Sequence, residues 1–414
     1  MHISVLLPLA AFALAYTLIS KRLDGSPVTL PILAVLFGVL GGPSGFEFLH
    51  FEMDGEAVRR LAEIALALVL FHDAARIDLR ILRKNASTPA RLLGPGLLLT
   101  VLAGFLVGLV LLPGLSPWEV ALLAALLAPT AAALGQAVVT QETVPSRVRQ
   151  ALNVESGLND GLIVPLVAVF LSCAAGEEAE SAWEWIDHAL VAIGFGVGAG
   201  LVVGWSGARL LDLAIGRDWM HASARRIGVA AVPFVAFFGA EACGGSGFLA
   251  TFVGGLALGS TTRNLGRDAY DYVEDSGEVL GLLTWVVFGF AAAPAALECG
   301  TPGVIAYALL SLTLVRMLPV AVALLGTGFG LRSVAFLGWF GPRGLASLVF
   351  AIAVFGRQDI AGRESIFGVA GWTVLLSVFL HGMTASWLAR AYGAHVAEDG
   401  DAAVEEFPMP RGRG

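Results

Sequence analysis

The sequence predicts an all-α polytopic membrane protein of about thirteen transmembrane helices, and three observations predict it. Of 414 residues, 57% are hydrophobic and 14% charged, with 25 Lys and Arg against 33 Asp and Glu. A soluble chain of this length carries roughly 100 charges. Mean hydropathy is +0.79, and the apolar residues gather in blocks of about 20, the length at which a helix crosses a bilayer core. In lipid every backbone amide needs an internal partner, so such blocks fold as helices joined by short loops.

The blocks fall at about 3–20, 29–48, 58–74, 92–112, 117–140, 153–174, 184–208, 225–242, 245–262, 276–297, 303–326, 333–356 and 366–390. The first lacks the basic start and small-residue cleavage site of a signal peptide, so it reads as a span. Spans one to six (about 1–174) and eight to thirteen (about 225–390) make two sets of six. Span seven (about 184–208) links them within one transmembrane domain, 1–395. The polar tail, 396–414, is expected to be disordered. Basic residues crowd the odd-numbered loops and the tail, among them Lys21, Arg22, Arg76, Arg147, Arg149 and Arg225. Even-numbered loops hold only Arg59, Arg60, Arg357 and Arg363. That bias predicts an outside N-terminus and a cytoplasmic C-terminus in the cell (inner) membrane.

The same composition excludes a secreted disulfide scaffold, a coiled coil, a nucleic-acid binder and an ordinary soluble enzyme. Cys173, Cys243 and Cys299 are far apart and read as small buried hydrophobes. The seven histidines are scattered, with no HExxH or GxSxG motif. No enzymatic activity and no bound cofactor are expected.

Two spans are interrupted at mid-depth, span five by Pro129 and Thr130 and span twelve by Gly341, Pro342 and Gly344. Proline removes a helical donor and clashes with the preceding turn. Each broken span is fifth in its set. An offset of seven spans reverses direction across the membrane, the inverted-repeat design of secondary transporters. Arg316 in span eleven and Arg343 in span twelve are both expensive, at least ~2.5 kcal/mol for a charge at mid-membrane. Glu63, Asp73, Glu155, Asp160 and Glu241 are the candidate acidic partners.

Span six opens NVESGLNDG, and helical spacing sets Glu155 with Asn159, and Ser156 with Asp160, along one wide polar face. One reading is a capped helix whose acids stay in water. Against it, Asp160 lies about 11 residues, or ~16 Å of helical rise, beyond the basic rim at Arg149. A lone carboxylate at that depth loses its charge in one of two ways. It takes a proton, or it binds a partly dehydrated cation with help from Asn159, Ser156, Thr130 and loosened backbone. The two exclude each other, and competition at an alternately exposed site is exchange.

The segments LLAPTAAALGQAVV, RQALNVESGLNDG, SGFLATFVGGLALG, VRMLPV and GWFGPRGLASLVF together resemble the monovalent cation:proton antiporters, NhaP-like branch, related to eukaryotic sodium/proton exchangers. The resemblance implies a thirteen-helix dimer whose fifth and twelfth helices are unwound and cross. It implies sodium, or else potassium or lithium, exchanged against protons. Asn159 and Asp160 match the family's Asn-Asp pair, which implies electroneutral, one-for-one exchange. Ser156 and Thr130 match ligand positions, with Asp160, Thr130 and Ser156 holding the metal ion. Glu155 and Arg316 match an ion pair, and Arg343 matches the arginine at the crossing. The chain departs from the pattern at Ala131, where relatives carry Asp. That leaves open a compensating acid, an altered affinity, or a transport-impaired sensor or scaffold of the same fold. His72 stands where many relatives place a carboxylate; the neighbouring Asp73 either substitutes or faces the loop.

Overall fold

The computed structural model describes residues 3–399, apart from 24–25, 50–54, 78–86, 132–133, 135–137, 139–140, 142, 177–181 and 263–264. Among the described residues there are helices and no strand. In chain order they are α1 (Ile3–Leu23), α2 (Leu30–Gly41), α3 (Gly55–Ala75), α4 (Ser87–Leu111), α5 (Pro117–Leu126), α6 (Ser146–Ala174), α7 (Ala182–Gly216), α8 (Ala222–Ala242) and α9 (Gly247–Thr261). Then α10 runs from Arg267–Val287 through a π turn to Ala293–Glu298, and α11 comprises Pro302–Leu312 and Leu314–Ala323. The halves of span twelve are α12 (Leu331–Trp339) and α13 (Leu345–Phe355), and α14 is Arg363–Asp399. Eight of these helices are long and apolar enough to cross a bilayer, and α2, α5, α9 and α13 are shorter apolar helices.

Several boundaries differ from the hydropathy blocks. Span two ends at Gly41 rather than 48, because Gly42 and Pro43 close the helix, with the Gly42 amide on Gly38 O. The charged run before span ten is helical from Arg267, and α7 continues past 208 to Gly216, so Arg209 lies within the helix. Polar ends like these let a span project beyond the hydrocarbon. The last helix likewise continues to Asp399, into the stretch expected to be tail; residues 400–414 lie outside the described part. The cysteines are not buried: Cys243 and Cys299 are exposed and Cys173 is half-buried.

The outer faces of α1, α4 and α7 carry exposed Leu7, Leu14, Leu18, Leu98, Leu102, Leu201 and Val202, an arrangement that suits lipid as solvent. Inside, α7 packs along α9, and α3 lies between α9 and α10. A Cβ at Gly204 of α7 would collide with Gly254 of α9, so glycine sets their closeness.

Local signals place α5. Ser116 caps it in a reciprocal box with Glu119, and Pro117 fills the first turn, where its missing N–H costs nothing. Glu119 is 4% exposed and also accepts from the Gly362 amide, pinning α5 to the loop before α14. Glu119→Ala should leave the Ser116 hydroxyl cap in place but strand the Ser116 and Gly362 amides. The expected cost is about 2–3 kcal/mol, read as a lower thermal-unfolding temperature of purified protein, with Glu119→Gln in between.

Candidate ion-binding site

Helix α5 stops at Leu126, three residues ahead of Pro129, and residues 127–131 are not helical. Leu134 and Val138, described farther on, are helical and buried. Span twelve is open from Phe340 to Gly344. The two openings meet: the Ala131 amide donates to Pro342 O at 2.7 Å. Proline and glycine do different work here. Pro342 supplies a carbonyl with no helical donor, while Gly341 and Gly344 permit contact, since a Cβ at Gly341 would collide with Arg316 and one at Gly344 with the Ala131 methyl.

Helix α6 runs past this crossing. Asn159, 1% exposed, donates from Nδ2 to Thr130 Oγ1 at 2.6 Å and so ties span six to the opening in span five. That bond leaves Asn159 Oδ1 with no donor, and Oδ1 of the adjacent Asp160 has none either, although both atoms are buried. Buried oxygens without donors are costly unless something positive completes them. Carboxylate, amide and hydroxyl oxygens are the donor set that an alkali cation takes, and a proton on Asp160 would serve in its place. Ser156 contributes less than its spacing suggested. It is half-buried, and its hydroxyl donates back to Leu152 O at 2.8 Å within α6.

One turn earlier, Glu155 Oε1 lies 2.6 Å from Arg316 Nη1, both residues nearly inaccessible. Of the five candidate acids, Glu155 is therefore the one that meets Arg316. Arg343, 0% exposed, has found carbonyls instead of a carboxylate. Its Nη1 donates to Ala128 O at 2.8 Å and Pro129 O at 3.1 Å, and its Nη2 reaches Ser311 O at 3.5 Å. The first two lie just past the C-terminal end of α5, and Ser311 is in the last turn of Pro302–Leu312. A helix C-terminus carries roughly half a negative charge, so two such ends offset about one guanidinium. Main-chain carbonyls thus stand around Arg343 where an acid at residue 131 would have been one candidate partner.

The chain's uncertainty at residues 72 and 73 resolves geometrically. His72 is buried towards α10, with Nδ1 3.3 Å from Tyr270 O and Nε2 3.5 Å from Glu274. Asp73 faces α6, where a Cβ on Gly157 would stand 3.8 Å from its own Cβ. Spacing alone left two directions open for Asp73, and packing of α3 on α6 selects the inward one. Sequence reasoning also took span eleven as continuous. It parts at Thr313 (φ −115°, ψ −99°), without a glycine or proline to announce it, and the break frees the Ser311 carbonyl used by Arg343.

Residues 9–391 match the family described as sodium/hydrogen exchanger, transmembrane. The chain belongs to that family. Among exchanger relatives it is 26% identical over 390 residues to the K(+)/H(+) antiporter NhaP2 of Shewanella sp. (strain ANA-3), covering 92% of this chain and 65% of that protein. It is 27% identical over 387 residues to the K(+)/H(+) antiporter NhaP of Alkalimonas amylolytica, covering 90% and 64%. The chain therefore spans less than two thirds of these relatives' length. It shares its fold with the sodium proton antiporter MjNhaP1 of Methanocaldococcus jannaschii at pH 8, at a TM-score of 0.74 and 22% identity, over 93% of this chain and 96% of that one. This exchanger-family chain is thus a multi-pass membrane protein with helices and no strand among its described residues.

Proposed function

We propose that the chain exchanges one monovalent cation for one proton by competition at Asp160, with sodium the first candidate and potassium or lithium the others. The observation that carries this reading is the buried Asp160 carboxylate, with an oxygen lacking any donor, beside two interrupted helices that touch. Charge accounting supports the one-for-one ratio. Arg316 neutralises Glu155, carbonyl ends neutralise Arg343, and Asp160 is left to alternate between proton and cation. Thr130 and Asn159 supply neutral oxygens, with Ser156 at the margin. The resident membrane is proposed to be the cell (inner) membrane, with the N-terminus outside and the C-terminus in the cytoplasm, as the basic residues suggest. A homodimer follows from the family resemblance. The names of the relatives support potassium as fully as sodium.

Purified protein in proteoliposomes tests the reading: a sodium, potassium or lithium gradient, each in turn, should drive proton flux. Competition also fixes the pH response. As pH falls the proton holds Asp160 more often, so the apparent KM for the cation should rise, by about tenfold per pH unit in the limit where protons dominate. Absence of flux with all three cations would overturn the proposal in favour of a non-transporting sensor or scaffold. Ala131→Asp probes the departure from the family pattern. The new carboxylate would sit beside Gly344 and within reach of Arg343, adding a buried negative charge near the site. Tighter cation binding, at least about threefold in KM, is expected; an unchanged KM would mean that the carbonyl ends already do all that an acid there could do.

A further inference from the structure

The opening in span twelve is bracketed from behind by α14. Trp339 is the last residue of α12, and its carbonyl is approached by His381 Nε2 at 3.0 Å. Beyond Pro342, the Arg343 amide donates to Ser377 Oγ at 2.7 Å. Ser377 Oγ in turn lies 3.2 Å from His381 Nδ1. Ser377, His381 and Thr384 follow one another at four and three residues along α14, so they share a face, and Thr384 Oγ1 accepts from the Trp339 indole at 3.2 Å. Both Ser377 and His381 are 0% exposed.

Hydrogen-bond accounting fixes the direction of this chain. Trp339 O can only accept, so Nε2 of a neutral ring must donate to it. Nδ1 has two neighbours at 3.2 Å, Ser377 Oγ and the Ser377 carbonyl, and in that neutral ring it accepts from the hydroxyl, which itself accepts from the Arg343 amide. The opposite tautomer would set two acceptors against each other at 3.0 Å.

We infer that His381 and Ser377 are positioning residues for exchange: together they set the distance between the two lips of the span-twelve opening, Trp339 and Arg343. The consequence reaches the ion site through main chain. Arg343 holds Ala128 O and Pro129 O, Pro342 O holds the Ala131 amide, and the adjoining Thr130 holds Asn159. A shift of the lips therefore loosens the oxygens around Asp160 without touching any of them directly. The kinetic part of this inference rests on the exchange reading above.

His381→Leu removes both ring contacts while keeping bulk, and His381→Gln can donate to Trp339 O through its amide. In proteoliposomes, His381→Leu should raise the cation KM by about five- to tenfold, the effect of one lost buried hydrogen bond. His381→Gln should return KM to within about twofold of wild type, and Ser377→Ala should reproduce the leucine variant should that one fail to fold. A purely structural role would lower yield and unfolding temperature in all variants alike and leave KM unmoved, and that result would overturn the inference. Wild-type protein without flux would instead sink the exchange reading. The positioning role is then decided by amide hydrogen exchange over residues 339–344, which should quicken in His381→Leu and stay slow in His381→Gln; equal rates would overturn it.

Discussion

Replacing Asp160 by asparagine should abolish cation-driven proton flux, reducing it by about a hundredfold or more, because the amide neither carries an exchangeable proton nor offers the negative charge that offsets a cation's lost water. The neighbouring packing should tolerate the change. The two side chains have nearly equal volume, and Asp160 Oδ1 makes no protein hydrogen bond that an amide nitrogen would break. Flux in proteoliposomes and thermal unfolding of the same preparation separate the two effects. A variant that unfolds normally yet carries no flux is the expected result, whereas undiminished flux would place the exchanging carboxylate elsewhere, with Asp73 next to be replaced.

The second large effect is expected at the Glu155–Arg316 pair. Glu155→Leu alone leaves a buried guanidinium without its counter-charge, and breaking a buried pair from one side costs about 3–5 kcal/mol. Two of the Arg316 nitrogens, Nε and Nη2, already lack hydrogen-bond partners, so the lone arginine would have little to fall back on. Arg316→Met alone should be damaging for the mirror reason. The double variant Glu155→Leu/Arg316→Met removes both charges from the interior and should recover most of the unfolding temperature. Recovery in the double variant together with loss in each single one is the pattern that a desolvated pair demands. Equal and additive losses would mean that each residue is held by contacts other than the pair.

Much of this architecture was legible because lipid imposes it. Blocks of about 20 apolar residues have few ways to satisfy their amides, and Pro129 and the Gly341-Pro342 pair carry their helix-breaking chemistry openly. The Asn159–Asp160 pair stood out by depth and helical spacing. What escaped was tertiary. Thr313 interrupts a helix in a run with nothing to mark it, and the use of the freed Ser311 carbonyl depends on Arg343 arriving from another span. Ser377 and His381 looked like isolated polar residues in an apolar helix, and only the open segment beside them gives them partners. At residues 72 and 73 the sequence offered two adjacent polar side chains pointing 100° apart, and no rule of spacing says which one a neighbouring helix will meet. The cysteines misled for a related reason: in a bilayer an apolar residue on an outward surface is as well solvated as one in the core.

One bond in the join between the two interrupted spans is made of main-chain atoms alone, an N–H from residue 131 and a C=O from residue 342. Arg343 adds a side-chain part to the same join through Ala128 O and Pro129 O, but the bond between 131 and 342 asks only for a main-chain N–H at 131. Proline alone would unfasten it. An acid at residue 131 would alter the electrical landscape at this seam and leave the bond to Pro342 in place, so charge and attachment are free to vary separately.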